Sequence, residues 1–198
     1  MSVSWMFFGV LLLALALYAV VIYNTLVRLK NQYLNGFAQI EVQLKRRYDL
    51  IPNMIEVAKK AMAHERETLE AVTLARNEAL ALLNAAGQHP GDVNAMHNLG
   101  AAQSTLSDAL ARFNLVVEAY PDLKTNQNML QLTEELTSTE NRVSFARQAF
   151  NDAVMSYNQY RQSFPPIALA SVLGHPTDAT LLEFADSAQI QVAPAVRF

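Results

Sequence analysis

Cysteine is absent from the 198 residues. That excludes a disulfide framework, a cysteine zinc site and a thiol nucleophile, and it leaves the redox compartment unreadable. Glycine and proline are scarce, at 6 and 7 residues, too few for a turn-rich β protein or for long flexible linkers, so helix is what remains. Strong charge of either sign is also missing. A net charge of −3 does not point to nucleic acid as a partner. The first 27 residues lack charge altogether, and all 15 basic and 18 acidic groups lie beyond them. The slightly positive mean hydropathy, +0.09, therefore comes from one segment.

That segment is WMFFGVLLLALALYAVVIY, residues 5–23. As a helix it rises roughly 28 Å, close to the ~30 Å hydrocarbon thickness of a bilayer. Trp5, Phe7, Phe8, Leu12, Leu15, Tyr18, Val21 and Tyr23 are the expected membrane-facing residues, with Trp5 at one end and Tyr18 and Tyr23 towards the other supplying interfacial aromatics. A cleaved signal peptide is the rival reading, but it wants a basic leader and a shorter apolar core, and residues 1–4 contain no Lys or Arg. Arg28 and Lys30 follow the span and nothing basic precedes it, so the short N-terminus is expected outside and the bulk of the chain in the cytoplasm. Residues 28–60 hold seven basic and three acidic groups, whereas residues 61–198 hold eight and 15. The basic part thus lies nearest the anionic leaflet.

Beyond the anchor, apolar residues recur at intervals of three and four. Leu26, Leu29, Tyr33, Phe37, Ile40, Leu44, Tyr48, Ile51, Ile55, Ala58 and Met62 form one helical stripe, which resumes at Leu69, Val72, Ala79 and Leu83. Unbroken, residues 24–86 would reach about 95 Å, so a break is expected. Two places remain open for it: Pro52, with Asp49 capping a restart, and residues 61–65. AAGQHPGD at 85–92 reads as a loop. A further stripe, Leu99, Ala102, Leu106, Leu110, Phe113 and Val117, runs to Tyr120, after which Pro121 suits the first turn of another helix. The last stripe runs Leu132, Leu136, Val143, Ala146, Phe150, Ala153, Tyr157, Tyr160 and Phe164, and stops at Pro165-Pro166. The expected fold is all-α: an N-terminal transmembrane helix (1–27), an elongated antiparallel up-and-down bundle of three to four long helices (28–164), and an irregular tail (165–198) with a short helix and an extended end.

Catalytic chemistry finds little support. A di-iron bundle needs Glu-x-x-His pairs, yet Ala61, Ala86, Asn94 and Val172 stand three positions before the four histidines. No zincin spacing, phosphate-binding glycine loop, nucleophile elbow or dinucleotide fingerprint occurs. No enzyme activity, cofactor or metal is expected. Two polar clusters stand out instead. LKRRYDLIPN, 44–53, wraps basic residues around a helix that also carries the apolar stripe and contributes Arg46, Arg47, Asp49 and Asn53. Glu140, Arg147, Asn151 and Asn158 flank the last seam. Interhelical pairing that fixes register is the plain reading of both, and a docking surface for a partner or for lipid headgroups is the sharper one.

The chain is similar to the LemA family of bacterial single-pass membrane proteins. The resemblance is carried by Tyr23-Asn24, VQLKRRYDLIPNMIE at 42–56, AHE at 63–65, YPDLK at 120–124, ENRVSFARQAFNDAV at 140–154, YN at 157–158 and FP at 164–165. It departs modestly at Phe150, at Lys60-Ala61 and in the closing APAVRF. The resemblance implies an elongated helical bundle behind an N-terminal anchor, with no catalytic residues. It also implies an association of one branch with magnetosome membrane formation, and of others with TPM-domain proteins or membrane zinc metalloproteases.

The leading expectation is a non-enzymatic scaffold whose bundles associate side by side as a homo-oligomer on the bilayer. A slender bundle buries a limited core, so Phe37, Phe113, Phe150, Tyr157 and Phe164 are the expected contacts between subunits. The alternative is an adaptor that docks a membrane protease or TPM-domain protein through the basic LKRRYD segment.

Overall fold

A computed structural model describes residues 2–184; the closing QIQVAPAVRF stretch, expected to be extended, lies outside the described residues. The elements are α1 (Ser2–Lys59), α2 (Arg66–Gln88), α3 (Val93–Glu118), α4 (Pro121–Lys124), α5 (Gln127–Gln162) and α6 (Pro166–Leu169). No strand occurs among the described residues. The fold is all-α, with one long apolar N-terminal helix leading into a bundle.

Helix α1 runs through both the apolar segment and the first bundle stripe. Its 58 residues rise roughly 87 Å at 1.5 Å each. Side chains from Ser4 to Val21 are exposed almost without exception, and burial begins abruptly at Ile22 and Leu26. One helix thus changes character within a turn, from apolar all round to one-sided, the pattern of a span continuing into a packed bundle. It is the one described helix long and apolar enough to cross a membrane. All eight residues expected to face lipid are exposed.

Pro52 does not break this helix. A proline lacks the N–H that would bond the carbonyl four residues back, here that of Tyr48. That carbonyl instead accepts from Arg76 Nε of α2 at 3.0 Å, so the orphan acceptor is satisfied from outside the helix. Asp49 caps nothing; it lies exposed, 3.7 Å from the Arg76 guanidinium. The break falls at residues 60–65, where Met62 is tucked into the core and turn bonds run from the Met62 N–H to the Ala58 carbonyl and from Glu65 N–H to Met62.

From there the chain runs down and up. α2 returns antiparallel to α1, with Glu41 beside Gly87 near one end and Tyr48 beside Ala79 further along. It remains helical through Gln88, so the expected loop shrinks to residues 89–92, where Asp92 caps α3 by accepting from the Ala95 N–H at 2.9 Å. Pro121 opens α4 as expected, but α4 is a single turn, and Asn126 caps the long α5 by accepting from two backbone N–H groups. α5 packs antiparallel along α1: Tyr33 meets Tyr157 with ring centroids 5.3 Å apart, and Phe37 meets Phe150 at 5.7 Å. The two helices approach so closely at Gly36 that a Cβ there would lie 3.1 Å from the Phe150 Cα. The buried edge of α5 is Leu136, Thr139, Val143, Arg147, Phe150, Val154 and Tyr157. Arg147 and Val154 take the inward places expected for Ala146 and Ala153, which are only half-buried.

Candidate functional site

Two polar constructions interrupt the apolar core, both built on α5. The first is centred on Arg47, which the α1 stripe carries inward between Leu44 and Tyr48 until it is only 4% exposed. An arginine so enclosed must be paired. Its guanidinium donates to Gln103 Oε1 at 3.2 Å, to Ser107 Oγ at 3.3 Å and to Glu140 Oε1 at 2.8 Å. Gln103 in turn donates to the Tyr48 hydroxyl, which donates to the Ala79 carbonyl at 3.4 Å. Burial pushes the Tyr48 hydroxyl up to about 12, so it stays protonated and available as a donor. One connected layer thereby joins α1, α2, α3 and α5. It can be completed only at one vertical alignment of the four helices, which is how a buried polar layer fixes register.

The second construction holds the tail. After α6 the chain turns back along α5 as an extended segment with no regular structure of its own. The Asn158 side chain donates to the Ala179 carbonyl at 2.8 Å and accepts from the Ala179 N–H at 2.9 Å. Two helical turns away, Asn151 does the same to Leu182, at 3.1 and 2.9 Å. A carboxamide offers one donor and one acceptor side by side, so it pairs with a residue's backbone as a neighbouring strand would. Arg147 continues the row, its guanidinium 4.3 Å from the centre of the Phe184 ring. Opposite, on α3, Gly100 leaves room for the tail: a Cβ there would run into the Glu183 carbonyl oxygen. At the other end Arg161 donates to the carbonyls of His175 and Pro176 and to Asp178 Oδ1. His175 is buried with its Nδ1 3.0 Å from the Tyr157 hydroxyl.

A cleft of about 490 Å³ opens between α3 and α5 where the described tail ends, and Arg47, Ser107, Glu140, Arg147 and Phe184 line it. Among the described residues no three His, Asp or Glu side chains stand together as metal ligands would.

The expected site residues separate cleanly. Arg47 and Glu140 meet, as interhelical pairing requires. Arg147, Asn151 and Asn158 line the tail. Arg46 and Asn53 are exposed on α1, while Lys45 pairs with Glu41 on its own helix. The basic LKRRYD segment therefore presents Arg46 outward and encloses Arg47. Of the five expected subunit contacts, Phe37, Phe113, Phe150 and Tyr157 are buried in the chain's own core, and Phe164 alone stands outside it, at 85% exposed. The core of one chain is large enough to cover those four because α2 and α3 complete it. Gln103, Ser107, Arg76 and Gly100 escaped sequence reading. Gln103 left a signal, a polar residue at the stripe spacing between Leu99 and Leu106.

The LemA family profile matches residues 36–198. The chain belongs to the LemA family. The match takes in α1 from Gly36 onward, the rest of the bundle and the docked tail. Among curated proteins, this LemA-family chain is similar to magnetosome proteins MamQ 1 and MamQ 2 of Paramagnetospirillum magneticum, each 24% identical over 167 residues, covering 77% of this chain and 61% of theirs. It is also similar to magnetosome protein MamQ of Magnetospirillum gryphiswaldense, at 23% identity over the same shares. The chain thus spans about three fifths of the length of the curated relatives it matches. With the exposed apolar helix, these likenesses make it a membrane-associated protein.

Proposed function

We propose that this LemA-family protein is a non-enzymatic scaffold that self-assembles on the bacterial inner membrane, its N-terminal helix spanning the bilayer once with the short N-terminus outside and the bundle in the cytoplasm. The observation that carries the reading is the unbroken α1. A span joined to a bundle by a flexible linker leaves the bundle free to tumble; a span that is the same helix as the bundle's first stripe holds it upright. From Ile22 to Lys59 the bundle stands about 57 Å tall, a rigid post of fixed height suited to side-by-side packing on one membrane face. Magnetosome proteins among its relatives support a role in membrane organisation.

Assembly would use side chains left outside the core. Phe145 is 74% exposed on α5, and the enclosed aromatics are not needed. Because the chain has no cysteine, Phe145→Cys introduces a unique crosslinking position. Bifunctional thiol crosslinking in native membranes is expected to give a covalent dimer, the largest product that one thiol per chain allows. Monomers alone, both with Phe145→Cys and across a cysteine scan of the exposed faces of α3 and α5, would overturn the self-assembly reading.

A further inference from the structure

The loop after α5 is uncharged and apolar where a water-facing loop would be polar. No Asp, Glu, Lys or Arg occurs between Arg161 and Asp178, and Phe164, Ile167 and Val172 in this interval are 85, 54 and 86% exposed. Their place in the fold says what covers them. α5 descends α1 antiparallel, from Arg47 against Glu140, through Phe37 against Phe150, to a shallow groove shared by Thr25, Arg28 and Leu29 with Gln159, Tyr160 and Ser163. Continuing that register brings Phe164 level with Tyr23 and Asn24, at the point where α1 changes from buried stripe to all-round exposed apolar helix. α6 and the turns after it stay at this end of the bundle: the Ile167 N–H bonds the Ser163 carbonyl at the end of α5, Ala170 is buried, and the His175 N–H returns to the Ala170 carbonyl. The chain climbs away only at His175, which is level with Tyr157.

We propose that residues 164–173 form a second membrane contact, with Phe164, Ile167 and Val172 inserted into the bilayer interface beside the emerging anchor. The inference rests on reading residues 4–21 as embedded in lipid. The partner is the lipid surface in which the chain's own helix sits. The proline pair fixes the turn, Pro166 and Ala170 face the bundle base, and the bulky apolar side chains between them face away from it. Arg28 and Lys30, exposed on α1 just above this level, stand where anionic headgroups would meet them. Two contacts on different elements prevent the bundle from tilting about its anchor, which one helix alone does not.

The test uses the full chain in vesicles that contain lipids carrying a nitroxide on the acyl chain. Single cysteines in place of Leu12, Phe145, Phe164 and Val172, each exposed and so tolerant of replacement, are labelled with NBD. Positions 164 and 172 are expected to be quenched at least twofold more than 145 and to approach the quenching at 12. Quenching at 12 with 164 and 172 no different from 145 would overturn the second contact and leave the anchor intact. Absence of quenching at 12 would overturn the anchor, and the second contact with it.

Discussion

At the residue scale, the Arg47–Glu140 pair is asymmetric, and the asymmetry sets the cost of breaking it. Arg47 is enclosed, whereas the Glu140 side chain is nearly half exposed. Removing the arginine releases a carboxylate to water and leaves only neutral groups, Gln103 and Ser107, short of a partner. Arg47→Met is therefore expected to lower stability by about 1–3 kcal/mol. Removing the carboxylate leaves a buried guanidinium uncompensated, so Glu140→Ala is expected to cost about 3–5 kcal/mol. Urea unfolding of the two variants checks the order, and the reverse order would contradict it. His175 makes stability depend on pH. Burial, then Lys30 and Arg161, hold its imidazole below the ordinary value of 6.5. The unfolded chain therefore binds a proton near that value while the folded chain still refuses it. The stability is fully present above 6.5 and is lost as pH falls from there through the lower folded value. Thermal melting between pH 7 and 5 is expected to show this loss, and His175→Gln is expected to reduce it.

At the element scale, the continuity of α1 depends on a helix it is not part of. Arg76 takes the carbonyl that Pro52 leaves unbonded, so the two residues are energetically coupled. Pro52→Ala restores an intrahelical donor to Tyr48, and Arg76→Met is expected to cost about 1 kcal/mol less in that background than in the natural one. Additive effects in a double-mutant cycle would show that Arg76 does something else. The tail is an element held largely by side chains, with one backbone bond from the Thr180 N–H to the Gly91 carbonyl at 2.8 Å. Asn151→Ala or Asn158→Ala removes two hydrogen bonds to one backbone residue, about 1–3 kcal/mol each. Hydrogen exchange at Leu182 and Ala179 is expected to accelerate accordingly, while exchange in α5 stays slow.

These elements also show why parts of the fold are legible in the sequence and parts are not. Stripes at three and four place Leu26 through Met62 on one face because burial has the helix's own period. Pro121 is legible because its geometry is local. The turn at residues 60–65 contains neither Gly nor Pro, and it exists because α2 must fold back to bury Leu69, Val72 and Leu83. Nothing near Pro52 reveals Arg76, 24 positions on in sequence. Asn151 and Asn158 are visible as polar residues beside a seam, but their partner is an aperiodic tail, and aperiodic chain carries no face to match. The enclosed Phe37, Phe113, Phe150 and Tyr157 read from sequence as shared between subunits because stripe spacing tells which face is apolar and says nothing of which chain covers it.

At the scale of the whole molecule, the protein is a post: an exposed apolar helix continued without a joint into a four-helix bundle whose polar layer fixes register and whose tail is laced down its side. The proposed scaffold makes the rigidity of this body useful by repetition. The most direct measurement is the mass of the full-length protein in nanodiscs, by multi-angle light scattering. A single species at an integer multiple of 22.0 kDa above one, after subtraction of lipid and belt protein, is the predicted result. A monomer at every protein concentration and lipid composition tried would contradict the self-assembling scaffold.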